Sequence, residues 1–288
     1  MLKIAIPNKG RLSESTLDLF RKAGLKVETT PERKLYATAL DKTLQILFLR
    51  ADDIPEFVQD GVADLGITGK DIIQESGRAV HEVMDLQFGY CRLVVAVPEH
   101  SGWKSIDDIP SGARVATSFP NLTERFFHAA AKAVRVVEVS GATELTPHIG
   151  VADLITDLVS SGSTLAMNNL RELATIQPST ARVIANPKAW GTPSTRALME
   201  PLIASLESVV AARGKRYLMA NVPRRNLEEV RRILPGISGP TIMDILSHPD
   251  IVAAHAVVDE GALFDIVNRL KAIGATGVLV LPIERLVP

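Results

Sequence analysis

Short apolar runs, each closed by a polar or glycine-bearing turn that opens a helix, recur from the N-terminus to about residue 185. Leu2–Ile6, Leu44–Leu49, Asp64–Thr68, Leu93–Val97, Arg114–Thr117, Val136–Val139 and Arg182–Ala185 all read this way. Such runs predict buried strands in α/β layers, with sites at the carboxyl ends of the strands where the turns lie. Helices are expected at Glu14–Ala23, behind a Ser13 N-cap and before Gly24, and at Ile54–Asp60, behind Asp52 or Asp53. A further one follows Ser118–Thr123 to about Ala133, and a long one spans Ser194–Arg213 up to Gly214.

After Gly214 the order changes. Strand Arg216–Val222, helix Asn226–Leu234, strands Thr241–Leu246 and Val252–Val258, helix Glu260–Ile273 and strand Gly277–Leu281 spell the ferredoxin-like βαββαβ pattern. A chain of 288 residues has room for two or three domains, so a junction at Gly214 is acceptable. The net charge of −1 leaves no positive field to recruit nucleic acid or an anionic membrane, so neither is an expected partner. One cysteine, Cys91, excludes an intramolecular disulfide framework and fits a reducing compartment. The opening MLKIAIPNKGRL has no apolar stretch of signal-peptide length, and no run approaches the roughly 18 residues of a membrane span. The expectation is a soluble cytoplasmic protein.

The richest stretch is Asp153–Leu170, DLITDLVSSGSTLAMNNL. The alternating run Ala152–Val159 carries Asp153 and Asp157 at even spacing, so a strand would place both carboxylates on one side. A spacing of four also suits one face of a helix, and that alternative stays open. The turn Ser160–Ser163 and Thr164 then lead to a short helix, Leu165–Leu170. Free N–H groups and hydroxyls at such a turn suit a phosphate, while the two acids suit a sugar diol or a hydrated Mg²⁺. An ordinary capped strand–turn–helix has the same pattern. The loop with Lys9 and Arg11 is a second anion site or a solvated basic turn. Gly61–Asp71 is not a Walker loop, because Asp64 and Asp71 stand where Gly and Ser or Thr are required, and no GxGxxG occurs. The six histidines show no metal-ligand spacing, and no GxSxG elbow is present.

Five ordered segments then converge: IPNKGRLSE (Ile6–Glu14), LRADDIPEFV (Leu49–Val58), GVADLGITGKD (Gly61–Asp71), RVATSFPNLT (Arg114–Thr123) and VADLITDLVSSGSTLAMNNL (Val151–Leu170). Together they resemble the long form of ATP phosphoribosyltransferase, over nearly the whole chain. The resemblance implies two periplasmic-binding-protein-like lobes and a C-terminal ferredoxin-like regulatory domain. The first lobe would comprise 1–91 and 182–213, the second 92–181, and the histidine-binding domain 214–288. It implies transfer of the 5-phosphoribosyl group of phosphoribosyl pyrophosphate (PRPP) to N1 of ATP with Mg²⁺. It also implies inhibition by L-histidine, and a homo-oligomer from dimer to hexamer. ATP as acceptor would account for the missing Walker loop.

By the same resemblance, Lys9 and Arg50 act in catalysis and face substrate phosphates. Asp153 and Asp157 take the ribose hydroxyls, and Ser160, Ser161, Gly162, Ser163, Thr164 and Leu165 the 5-phosphate. Arg11, Leu12, Asp71 and Glu144 belong to ATP, with Glu144 also a contact for sugar or metal; which protein groups hold the metal is left open. Histidine falls to Asn221, Ile237, Gly239, Thr241 and Gly277. Asn221 keeps the shape of the acid found in relatives but not its charge. A solute-binding protein and a stand-alone amino-acid sensor are the rival readings, separated from this one by pyrophosphate release.

Overall fold

The computed structural model describes residues 1–25, 27, 36–38 and 44–287. The first run of elements is β1 (Leu2–Pro7), α1 (Gly10–Lys22), β2 (Tyr36–Thr38), β3 (Leu44–Leu49), α2 (Ile54–Gln59), β4 (Leu65–Gly69), α3 (Lys70–Ser76) and β5 (His81–Asp85). Next come β6 (Cys91–Pro98), β7 (Arg114–Thr117), α4 (Pro120–Ala129), β8 (Arg135–Glu138), β9 (Leu154–Val159), α5 (Ser163–Met167) and β10 (Leu170–Ser179). The chain returns through β11 (Ala181–Ala185), α6 (Pro187–Gly191) and α7 (Pro193–Ala211). It ends with β12 (Lys215–Pro223), α8 (Leu227–Ile233), β13 (Thr241–Asp244), β14 (Ile251–Asp259), α9 (Leu263–Ala272) and β15 (Thr276–Pro282).

Among the described residues these strands form two sheets of a two-lobed α/β unit and a third of their own. The first has order β2-β3-β1-β4-β11-β5, with β1 parallel to β3 and β4. The second has order β10-β6-β9-β7-β8, with β7 parallel to β8 and β9. β10 and β11 run antiparallel to the strands they join, so the chain crosses between lobes at residues 86–91 and 179–181. The strands are apolar because both faces are covered: Ile4, Ala5 and Ile6 of β1, and Val94, Val95 and Ala96 of β6, are fully buried.

The third sheet, β13-β14-β12-β15, is antiparallel throughout and has the expected ferredoxin-like order. Leu218, Ala220 and Val222 stand opposite Ala256, Ala254 and Val252 on its covered face, against Val230, Ile266 and Leu270 of α8 and α9. Contacts gather residues 22–24 and 203–288 into one compact unit and the rest into another, dividing within α7, ahead of the expected junction at Gly214. In this second unit Arg285 donates to Ser208 Oγ and Ser205 Oγ, both at 3.0 Å. No helix of the described residues is long and apolar enough to cross a membrane.

Several boundaries differ from the sequence expectation. α1 begins at Gly10, and Ser13 is buried inside it, because the left-handed φ of Gly10 (+76°) lets the chain turn straight out of β1. Asp53 is at the N-cap of α2 without a side-chain capping bond; Pro55 in the first turn suits the start instead. α4 stops at Ala129, where Ala131 turns left-handed (φ 52°) to deliver the chain to β8. α5 is Ser163–Met167, and Leu170 opens a ten-residue strand, β10, that was not expected.

The seat of α2 on β4 depends on Gly66. A Cβ there would stand 2.6 Å from Ile54 Cγ2 and 2.8 Å from Val58 Cγ2. Gly66→Ala is expected to cost about 1–3 kcal/mol through overpacking, read as a lower urea midpoint. An unchanged midpoint would mean that α2 shifts without penalty.

Candidate active site

β7 and β9 are parallel neighbours, so the chain leaves both at one edge, and the loop Ser160–Gly162 emerges there. The strand is anchored by Ile155 and Val159, and α5 by Leu165, which packs among Val94, Ala96 and Ala116. Between these anchors Ser160, Ser161, Ser163 and Thr164 are exposed. Gly162, at φ +84°, makes the left-handed turn into α5, and the Ser161 and Ser163 hydroxyls meet at 3.0 Å. α5 has five residues, so its dipole is small, and hydroxyls with backbone N–H groups must supply most of any grip on an anion.

This loop walls a cavity of about 280 Å³ lined by Asp157–Leu165 from the second lobe, by Glu144 of the turn after β8, and by Arg11 of the first lobe. Arg11 makes no ion pair among the described residues, so its guanidinium is available to a ligand. Burial pushes the Asp157 carboxyl above its ordinary value, a backbone hydrogen bond from Leu158 (2.7 Å) opposes this, and the charge of Glu144 adds to the rise. A sugar diol would supply the hydrogen bonds that this carboxylate lacks.

Asp153 is placed elsewhere. It sits at the amino end of β9, about 13 Å along the strand from Asp157. Arg114 binds it in a fork, Nε at 3.2 Å and Nη2 at 2.8 Å, and holds its carboxyl below the usual range. Asp153 precedes the first residue of β9 and Asp157 lies in its second half, and of the two only Asp157 lines the cavity. Lys9, Leu12, Arg50 and Asp71 do not line it either. Lys9 and Arg50 are exposed at the carboxyl ends of β1 and β3, the same edge that carries Arg11. Leu12 is half-buried in α1. Asp71 is buried at the start of α3, accepting a hydrogen bond from Ser179 Oγ at 2.6 Å, and burial raises its carboxyl. No sequence signal foretold the partners Arg114 and Ser179, which are distant in the chain.

In the third sheet Asn221 and Gly277 are adjacent: a Cβ on Gly277 would come 3.2 Å from Asn221 Nδ2. Thr241 lies on β13, separated from β12 by β14, and pairs with His255. Exposed Ile237 and Gly239 lead into it, both in the turn that Gly239 N closes onto the Pro235 carbonyl at 2.9 Å. The expected effector residues thus form two groups on one sheet.

A family model described as ATP phosphoribosyltransferase matches residues 50–208, and one described as HisG, C-terminal domain, matches residues 212–285. The chain is 51% identical, over the full length of both, to the ATP phosphoribosyltransferase of Gemmatimonas aurantiaca. It is 47% identical to that of Methanothermobacter thermautotrophicus, over 100% of this chain and 99% of the relative. This chain belongs to the ATP phosphoribosyltransferase family. Among solved structures, the ATP phosphoribosyl transferase (HisG:HisZ) complex from Thermotoga maritima is similar at 30% identity and a TM-score of 0.64, over 73% of this chain and 98% of that one.

For an ATP phosphoribosyltransferase the acids of the cavity are the natural neighbours of a cation. Among the described residues no three His, Cys, Asp or Glu side chains stand together as a metal site. Asp157 and Glu144 give two carboxylates, which suits Mg²⁺ arriving on substrate phosphates.

The raised Asp157 carboxyl sets a pH dependence. Its folded pKa lies above the unfolded one, so the charged form weakens the fold, fully so above the raised value, and protonation on lowering the pH relieves this. Asp157→Asn is expected to raise the thermal midpoint at neutral pH while weakening PRPP binding. It should also remove the loss of binding expected of the wild type as pH falls toward the raised value. Calorimetry and titration across pH check both; a lower midpoint, or an acid limb that survives the substitution, would contradict the assignment.

Proposed function

We propose that this chain transfers the 5-phosphoribosyl group of PRPP to N1 of ATP, releasing pyrophosphate and 1-(5-phosphoribosyl)-ATP in the first step of L-histidine biosynthesis. The observation that carries the assignment of this chemistry to the cavity is the meeting of an exposed hydroxyl loop, two carboxylates and an unpaired guanidinium in one space. Family membership supports the reaction itself.

The loop Ser160–Thr164 holds the 5-phosphate through hydroxyls and N–H groups. Asp157 accepts from the ribose hydroxyls, and Glu144 stands beside it. Arg11, with Lys9 and Arg50 on the same edge of the first sheet, faces the diphosphate. N1 of adenine carries its own lone pair, so no general base or protein nucleophile is required. The N1–C1 bond forms as the C1–O bond to pyrophosphate breaks, with positive charge on the ribose and negative charge on the leaving group. The carboxylates favour the first and the basic residues the second, and both are in place before the bonds change. Bound through the substrate phosphates, Mg²⁺ would share in neutralising the diphosphate. Asp71 and Leu12 are assigned to the adenine side, and Asp153 to holding β9 through Arg114.

L-histidine is assigned to the third sheet as feedback inhibitor, a reading supported by the adjacency of Asn221 and Gly277, with the turn Ile237–Thr241 as a second group two strands away. A homo-oligomer of two to six copies in the cytoplasm fits this reading. A lost hydrogen bond to a charged group costs about 1.5–3 kcal/mol, so Thr164→Ala is expected to reduce PRPP use about ten- to a hundredfold, read as pyrophosphate release. Unchanged kinetics would remove the loop from the site. Thr241→Ala should raise the histidine concentration needed for half-inhibition; inhibition curves that superimpose would place the effector elsewhere.

A further inference from the structure

The two lobes also touch away from the cavity, at a contact built around one carboxylate. Glu75 stands in the last turn of α3, in the first lobe. Its Oε1 accepts the N–H of Asn121 at 2.8 Å and its Oε2 that of Leu122 at 2.9 Å. Both are first-turn groups of α4, in the second lobe, whose own N-cap residue Phe119 offers no side-chain acceptor. Bonds also run the other way. Asn121 Nδ2 donates to the Glu75 carbonyl at 3.0 Å, and Arg125 Nη2 to that of Gln74 at 2.6 Å. The carboxyl end of one helix and the amino end of another thus satisfy each other, with a full negative charge on the positive end of the α4 dipole.

The topology gives this contact a task. α3 follows β4 and α1 follows β1, its parallel neighbour; α4 follows β7 and the phosphate loop follows β9, its parallel neighbour. The α3–α4 clasp therefore joins the helices that follow β4 and β7, the strands next to those that carry Arg11 and the loop. The covalent crossings at 86–91 and 179–181 leave rotation about themselves open, and the clasp opposes it. We propose that Glu75 is a positioning residue for phosphoribosyl transfer: by tying α3 to α4 it sets the gap between Arg11 and Ser160–Thr164, so that one PRPP molecule is held at both ends. The proposal rests on the loop being the 5-phosphate site.

A ligand that reaches only the loop is indifferent to the clasp, whereas one that spans both lobes is not. Glu75→Gln keeps the length of the side chain but removes its charge and turns an amide N–H₂ toward a backbone N–H. Ribose 5-phosphate and PRPP are titrated calorimetrically into the full-length protein. PRPP is expected to bind about tenfold more weakly, with its KM rising in step at unchanged kcat, while ribose 5-phosphate stays within about twofold. Arg125→Ala, which breaks one bond of the same clasp, should give a smaller change in the same direction, and serves if Glu75→Gln does not fold. Equal weakening of both ligands, or unchanged PRPP binding in both variants, overturns the proposal. A wild-type chain that binds no ribose 5-phosphate overturns the loop assignment, and the proposal with it; the two failures are thereby told apart.

Discussion

Because β7 and β9 run parallel, with Val115 opposite Leu154 and Thr117 opposite Thr156, both strands release their chain at the same edge of the sheet. Everything in the cavity on the second lobe depends on that pairing. It brings the hydroxyl loop after β9 beside the turn that carries Glu144, and leaves Asp157 half out of water between them. A bare anion would gain hydroxyls and N–H groups there and lose to two carboxylates. A sugar phosphate brings hydroxyl donors that two carboxylates can accept from, whereas free phosphate brings none beyond its own acidic protons.

The two aspartates of β9 show how far apart one spacing can lead. Asp153 and Asp157 differ by four positions, yet Arg114 holds the first carboxyl down and burial pushes the second up. The first is tied to β7 through the Arg114 fork; the second accepts one backbone N–H, from Leu158, and lines the cavity. Two acids four positions apart in the chain thus stand in opposite electrostatic surroundings.

Local pattern made the layered grammar legible. Nearly continuous apolar runs such as Leu2–Pro7, where only Lys3 is exposed, and Leu65–Gly69, where Thr68 is buried, read as covered strands, and the alternating strands of the third sheet announce a half-covered face. β10 was hidden because LRELATIQPS mixes charges with small residues and carries register shifts at Glu172/Ala174 and Thr175/Gln177, which break the alternation. The start of α1 is not legible locally, because Ser13 looks like a cap whereas the left-handed Gly10 makes the turn. The loop at Ser160–Thr164 was readable from composition and order. Arg114 with Asp153, Ser179 with Asp71 and Glu75 with Asn121 were not, since each joins residues 39 or more positions apart and leaves no local trace.

The order β4-β11-β5 has a consequence for how the chain is made. Among the described residues β5 has no neighbour in its sheet except β11, and β11 is synthesised only after the whole of the second lobe. On the ribosome the flank of β4 that carries Gly66 and Ile67 stays without its β11 partners, Ile184 and Val183, until residue 185 has cleared the exit tunnel. The second lobe, whose strands β6 to β10 are contiguous, is free to fold first and then act as a template that carries the missing strand home.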